Sequence, residues 1–520
     1  MASLDEIETW RLSQQDRLDS LKSPSERNRC GQFATPPPLA LDIARYARRK
    51  LRNRPISFLD PAIGTGSFFS ALCRAFPPSQ ITRAAGVELD KDFARAASNL
   101  WEPLGLKVTG KDFTLLKPPY PEARFDLVLT NPPYVRHHHL TQQDKARLKT
   151  RVAEEHALDV SGLAGLYVYF LLLAHNWMTD SGLAIWLIPS EFMDVNYGSV
   201  IKRYLTDRVE LVQIHRFCPS DVQFSDALVS SAVVVLRNRK PSARHTPILS
   251  FGGYLQKPNR KERVSLDELR HAHKWTKYPQ KDSSPVSKDH ATLGDLFEIK
   301  RGLATGANSF FILPHERALE LGIPVECLRP ILPSPRYLRG QIIERRPDGY
   351  PEIDKPPSLI DCSLSQADIE ASFPAFWAYL REGLKRDIHK GYLACRRHPW
   401  YSQERRPAAP FLCTYMGRSD NGNKPFRFIW NKSDATAANV YLMLYPKGQL
   451  QDALRQNRSR YSTVFDVLQT ITTEMFLAES RVYGGGLYKL EPKELARLSA
   501  ASILRAIEGL TVHRQLALFP

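Results

Sequence analysis

A chain of 520 residues with 43% apolar and 24% charged side chains has room for two or three buried cores, which excludes a disordered or fibrous protein. Its net charge of +17 is uneven: residues 1–240 carry 31 Lys and Arg against 26 Asp and Glu, and residues 241–520 carry 41 against 29, pointing to a polyanion-facing module behind a nearly neutral one. Seven scattered cysteines without a Cys-x-x-Cys spacing exclude a disulfide framework and a cysteine-zinc site, and the most apolar stretch, residues 166–174, is too short to span a bilayer, so a cytoplasmic protein is expected.

Residues 1–30 read as a polar helix with arginine and glutamine on a solvated face, an N-terminal extension. Gly31-Gln32-Phe33-Ala34-Thr35-Pro36-Pro37-Pro38 then leads into a helical pattern from Leu39. Thr35 near that helix start can meet a ligand carboxylate with its hydroxyl and adjacent N–H groups; the bland alternative is a capped helix. Residues 55–70 read as strand, glycine turn and helix, in which Gly64 and Gly66 let backbone approach a ligand. The third glycine of the dinucleotide fingerprint is replaced by Phe69, which disfavours NAD. The strand over residues 84–90 carries Glu88, a carboxylate spaced to accept both ribose hydroxyls. After a third short strand, Asp112 offers an acceptor to an adenine amino group with Phe113 beside it, although Asp112 taken alone reads first as a turn residue.

The apolar run 125–130 ends in Asn131-Pro132-Pro133-Tyr134, at the exit of an expected buried parallel strand, where open α/β sheets carry their chemistry. Two prolines remove two backbone donors, so the turn presents carbonyl oxygens and the Asn131 amide. An amino group can be held there, and Tyr134 offers a face to a planar base; the bland alternative is an ordinary Asn-Pro turn. His137-His138-His139 follows directly, and three successive histidines cannot converge on one ion, so no metal site is expected.

Phe58-Leu59-Asp60-Pro61-Ala62-Ile63-Gly64-Thr65-Gly66, Glu88, Asp112-Phe113 and Asn131-Pro132-Pro133-Tyr134 together resemble the cofactor and catalytic motifs of the gamma-class DNA adenine-N6 methyltransferases of type II restriction-modification systems. The leading Thr35-Pro36-Pro37 matches that class's motif order. The resemblance covers residues 31–240 and implies a doubly wound, mostly parallel, seven-stranded α/β sheet that binds S-adenosyl-L-methionine. Residues 241–520 would form a mixed α+β target recognition domain for double-stranded DNA; residues 297–313 and 481–492 resemble its opening and closing segments. Residues 230–236 would be an antiparallel strand in the edge region. By the same resemblance Thr35, Asp60, Pro61, Ala62, Gly64, Gly66, Glu88, Asp112, Phe113, Asn131 and Pro133 contact the cofactor. Asn131, Pro132 and Tyr134 serve the adenine, with Phe224 stacking on the ring face opposite Tyr134.

The chemistry expected of such a site is orientation rather than base catalysis. The adenine N6 lone pair is delocalised, and two acceptors, the Asn131 side-chain oxygen and the Pro132 carbonyl, can hold both N6 hydrogens so that the nitrogen aims its lone pair at a methyl carbon. Cytosine-C5 transfer needs a thiol after proline, and none of the seven cysteines follows one. RNA and release-factor glutamine methyltransferases share the tetrapeptide but do not account for the basic C-terminal half, and a non-catalytic specificity subunit does not account for intact motifs. A monomer paired with a separate restriction endonuclease is expected.

Overall fold

The computed structural model describes residues 3–218, 230–279, 291–418, 424–483 and 487–510. The chain divides into two compact units, Met1–Ser283 with Tyr483–Gly485, and Ser284–Val482 with Gly486–Pro520.

The first unit is built on one sheet: β1 (Ile56–Asp60), β2 (Ile81–Glu88), β3 (Leu106–Gly110), β4 (Phe125–Thr130), β5 (Met178–Pro189), β6 (Glu210–Arg216), β7 (Ser231–Arg237), β8 (Ile248–Gly253) and β9 (Pro258–Arg263). The order is β3-β2-β1-β4-β5-β7-β6-β8-β9. β7 runs antiparallel to both β5 and β6, β9 runs antiparallel to β8, and the other pairings are parallel. The central strands are apolar on both faces because both faces are covered. Leu59 and Val128 point into one core with the all-apolar helix Leu166–Leu173, while Phe58, Leu127 and Leu129 point into the other, under the helices after residue 37. Among the described residues no helix is long and apolar enough to cross a membrane.

Three sequence expectations change here. The sheet has nine strands rather than seven, because β8 and β9 continue it beyond β6. The antiparallel strand β7 is therefore interior, not near an edge. A division at residue 240 cuts through this unit, whose boundary falls at residue 283.

Nor are residues 1–30 a detached extension. Helix α1 (Leu4–Ser20) starts with a capping box between Ser3 and Glu6, and helix α2 (Pro24–Cys30) repeats that device with Ser23 and Glu26. Arg11 is buried, its guanidinium forked onto Glu8 and donating through Nη1 to Thr65 Oγ1 at 3.0 Å. The Thr65 hydroxyl in turn donates to Gln15 Oε1 at 2.8 Å, and Ser70 Oγ donates to Glu8 at 2.6 Å. The polar residues of α1 thus grip the turn that follows β1.

Helix α3 (Pro37–Leu51) precedes β1, and helices α4 (Ser67–Ala75) and α5 (Lys91–Trp101) follow β1 and β2. Gly66 begins α4 at φ +94°, and a methyl group there would overlap the Trp101 indole, whose Nε1 donates to the Thr65 carbonyl at 2.8 Å. This glycine serves helix packing, whereas a methyl on Gly64 would meet only open space.

The second unit is mixed α+β. A five-stranded sheet runs Phe297–Arg301, Tyr441–Pro446, Phe411–Thr414, Phe428–Asn431, Ile342–Ile343, and a three-stranded sheet runs Ile312–Pro314, Pro357–Ile360, Leu328–Pro330. After the short helix Leu293–Leu296, the segment 297–313 runs as strand, short helix Asn308–Phe311, then strand. In the closing segment, residues 484–486 lie outside the described residues.

Gly66→Ala is expected to destabilise the protein by about 2 to 4 kcal/mol, combining left-handed backbone strain with overpacking against Trp101. Urea unfolding measures it; Gly64→Ala, with no atom to overlap, should cost less than half as much.

Candidate functional site

β1 and β4 are neighbours whose connections leave in opposite directions, which makes their carboxyl ends the switch point of the sheet. The register Leu59↔Val128 brings the turn after Asp60 beside Asn131. A cavity of ≈ 440 Å³ opens there, and Pro61, Ala62, Gly64, Glu88, Asp112, Phe113, Asn131 and Pro133 are all in its wall.

Glu88, at the end of β2, is held by two backbone donors. Gly64 N donates to Oε2 and Asp90 N donates to Oε1, each at 2.9 Å. Burial raises its pKa and those two N–H groups oppose the rise, so the carboxylate is oriented before any ligand arrives. Asp112 accepts from Thr114 N and Oγ1 at 2.8 Å and lies 3.7 Å from the Arg147 guanidinium, so its role as a turn residue and its place in the cavity wall coexist. Phe113 packs on Phe170 and Trp177 with ring centroids 5.3 and 5.1 Å away, giving the cavity a rigid apolar side.

Asn131 is fixed by the segment that precedes α3. Its Nδ2 donates to the Phe33 carbonyl at 2.8 Å and lies 3.2 Å from Thr35 Oγ1. A carbonyl only accepts, so this contact decides which way the amide faces. Oδ1 is left buried with no hydrogen-bond partner in the protein. Thr35 is buried, its carbonyl accepting from Ser67 Oγ at 2.8 Å; it supports Asn131 and is not in the cavity wall, contrary to the reading of its hydroxyl as a ligand contact.

Tyr134 is also more buried than a free stacking platform. Its hydroxyl donates to the Leu187 carbonyl at 3.0 Å, its N–H donates to the Gly31 carbonyl at 3.1 Å, and its ring leans on Phe33 at 5.6 Å. Pro132 is buried between them in sequence. Asp60 and Gly66 lie behind the cavity: Asp60 Oδ1 accepts from Ala62 N at 3.0 Å, shaping the turn from beneath. Phe224 lies outside the described residues.

Several wall residues carried no readable motif. Gln15, Asp19 and Lys22 reach the cavity from the N-terminal helices, and Lys22 Nζ bridges Asp90 Oδ2 at 2.5 Å and Gln32 Oε1 at 3.0 Å. Burial works to raise the Asp90 pKa, but the hydrogen bond from Lys22 holds the carboxyl below its usual range. The capping sequence Ser3-x-x-Glu6 signals that α1 is a real helix, but nothing in it signals what α1 packs on.

This strand order sets an antiparallel β7 between β5 and β6 in an otherwise mostly parallel, doubly wound sheet, the fold class expected from the sequence. Residues 275–516 match the family described as Type II methyltransferase M.Eco57I, C-terminal domain, and residues 90–224 match Eco57I restriction-modification methylase. The chain is 29% identical over 91% of its length to Type II methyltransferase M.XamI of Xanthomonas campestris pv. amaranthicola, covering 86% of that protein. To Type II methyltransferase M.AccI of Acinetobacter calcoaceticus it is 24% identical over 91% of its length, covering 85%. Among solved structures, the type IIL restriction-modification enzyme MmeI in complex with DNA shares the fold with a TM-score of 0.57 at 12% identity, over 92% of this chain and 69% of that one. Matches to these two restriction-modification methylase models, and to type II methyltransferases along 91% of the chain, support a type II restriction-modification methyltransferase.

Burial pushes the Asp60 carboxyl up to about 7. A raised carboxyl pKa means that the folded protein holds this proton more tightly than the unfolded chain. The associated stability is complete below the unfolded value, about pH 4, and is lost as pH rises through about 7. Asp60→Asn keeps the acceptor for Ala62 and cannot ionise, so the gap in melting temperature between variant and parent should widen in the variant's favour from about pH 5 to pH 8. A gap that does not change with pH contradicts the assignment.

Proposed function

We propose that this protein transfers a methyl group from S-adenosyl-L-methionine to N6 of an adenine turned out of duplex DNA, and that it protects host DNA from a separate restriction endonuclease. The observation that carries the proposal is the buried, unpartnered Asn131 Oδ1 beside a cavity with an oriented carboxylate. A buried acceptor without a donor costs about 1 to 3 kcal/mol, which a substrate amino group can recover.

The cavity suits the cofactor. Glu88 is aimed to accept ribose hydroxyls, Asp112 to accept from an adenine amino group, and Phe113 to border that ring. Gly64 leaves room where a side chain would intrude. When bound, S-adenosyl-L-methionine supplies an electrophilic methyl carbon on a sulfonium. The protein's part is then positioning. Asn131 Oδ1 and the Pro132 carbonyl accept the two N6 hydrogens, turning the nitrogen tetrahedral so that its lone pair points towards the methyl carbon. Because Nδ2 is tied to Phe33 and Thr35, Oδ1 does not reorganise as the reaction proceeds. As the N–C bond forms the S–C bond breaks and would leave a neutral thioether; the nitrogen gains positive charge, and the same two acceptors stabilise it until one N6 proton passes to solvent water. Tyr134, tethered at both its hydroxyl and its N–H, is proposed for one face of the base and Phe224 for the opposite face.

Asn131→Ala should lower methyl incorporation by at least about two orders of magnitude with DNA affinity nearly kept. Single-molecule sequencing of host DNA carrying the gene reads the modified base directly; modification at cytosine, or transfer to RNA or release factor and not to duplex DNA, overturns the proposal. Glu88→Ala should weaken S-adenosyl-L-methionine binding by about 1 to 3 kcal/mol in calorimetry, the scale of a lost charged hydrogen-bond pair. Thr35→Val, which keeps the side-chain shape, should lower turnover without changing that cofactor affinity.

A further inference from the structure

Between residues 45 and 54 the chain carries six cations, Arg45, Arg48, Arg49, Lys50, Arg52 and Arg54, and no carboxylate. They occupy the last turns of α3 and its link to β1. Arg74, from the last turn of α4, faces them, and Arg45, Arg48, Arg49, Arg52 and Arg74 together line a concave surface of ≈ 690 Å³. Cations near a helix C-terminus complement its dipole, which accounts for one or two of them but not for six. Among the described residues none of the six lies within 4.0 Å of a carboxylate oxygen, whereas Arg74 is paired with Asp5. The nearest acid on α3, Asp42, is hydrogen-bonded by Leu255 N at 2.9 Å and by Gln256 Nε2, and reaches Arg45 and Arg49 only by charge attraction beyond 4.0 Å. Burial, and then the neighbouring Arg49, Arg237 and Arg263, lower the Lys50 pKa, as expected where like charges gather without a counter-ion. Arg48 is held in place, donating to the Ala75 carbonyl at 2.6 Å.

We propose that this concave arginine surface binds the phosphate backbone of duplex DNA outside the segment that holds the target base. Its lining offers no aromatic ring for a base to stack on and no apolar centre for a protein partner, which leaves phosphate oxygens as the fitting chemistry. Along α3 its start, near Asn131, lies about 12 Å from Arg45 and about 22 Å from Arg52 of this surface. Target-site contacts and this contact are therefore at opposite ends of the sheet. The contact is sequence-independent, and it rests on the proposed action on duplex DNA without depending on adenine as the target.

The test uses the full-length chain with Arg45, Arg49 and Arg52, all exposed, replaced together by alanine. Binding to a random-sequence duplex of about 40 base pairs is followed by fluorescence anisotropy from 50 to 200 mM salt. Three lost phosphate contacts should flatten the log–log salt slope by about 2 to 3, so the parent's affinity falls about 40-fold further than the variant's over that range. The three lysine replacements should restore the slope, as they keep charge while changing shape. An alanine variant with unaltered melting temperature and the parent's salt slope overturns the proposal, as does failure of the lysine variant to restore it. Neither readout involves methyl transfer, so loss of the adenine reading leaves this result separately interpretable.

Discussion

The hydrogen bond from Asn131 Nδ2 to the Phe33 carbonyl is the constraint on which the site depends. An asparagine amide can face either way at almost no intrinsic cost, and a donor and an acceptor would then exchange places at the cavity wall. Phe33 removes that freedom because a carbonyl cannot donate. The oxygen is left pointing to a buried position with nothing to bond, a state that persists because the surrounding fold over-determines it.

What holds Phe33 is spread across the unit. Its ring lies against Tyr134, Tyr134 is bonded to Leu187 in β5 and to Gly31, and Thr35 is bonded through its carbonyl to Ser67 at the start of α4. The amide orientation is therefore set by two strands, a helix start and a loop from before the first strand. A methyl on Gly31 would strike the Tyr134 backbone, so that loop approaches as closely as it does only because residue 31 is glycine.

The cofactor side follows the same logic with charge. Glu88 is poised by the N–H groups of Gly64 and Asp90, and the Gly64 turn is itself held by Thr65, which Arg11 and Gln15 secure from α1. Arg11 is tolerable in a buried position because Glu8 takes its fork and Ser70 completes Glu8. The N-terminal helix thereby becomes part of the cavity, not an appendage.

The sequence by itself determined the local pieces: strands from apolar runs, turns from Gly64 and Asn131-Pro132, and carboxylates at the right spacing, since periodicity and turn chemistry are short-range properties. From these the doubly wound sheet was legible, as were Gly64, Glu88, Asp112, Phe113 and Asn131 of the cavity wall, while Pro61, Ala62 and Pro133 came only from the family resemblance. Contacts over long sequence separations were not. Arg11 looks like any solvated helix residue until Thr65 meets it, Thr35 looks like a cap until Asn131 lies beside it, and Gly66 looks like a ligand turn until Trp101 fills the space above it. The unit's true limit was hidden for a related reason: β8 is short and ends in two glycines, β9 is polar throughout after Pro258, and only the pairing of β8 with β6 and of β9 with β8 shows that they extend the sheet. Tertiary structure alone decided these assignments, because a hydrogen-bond partner dozens of residues away leaves no periodic trace in the segment it fixes.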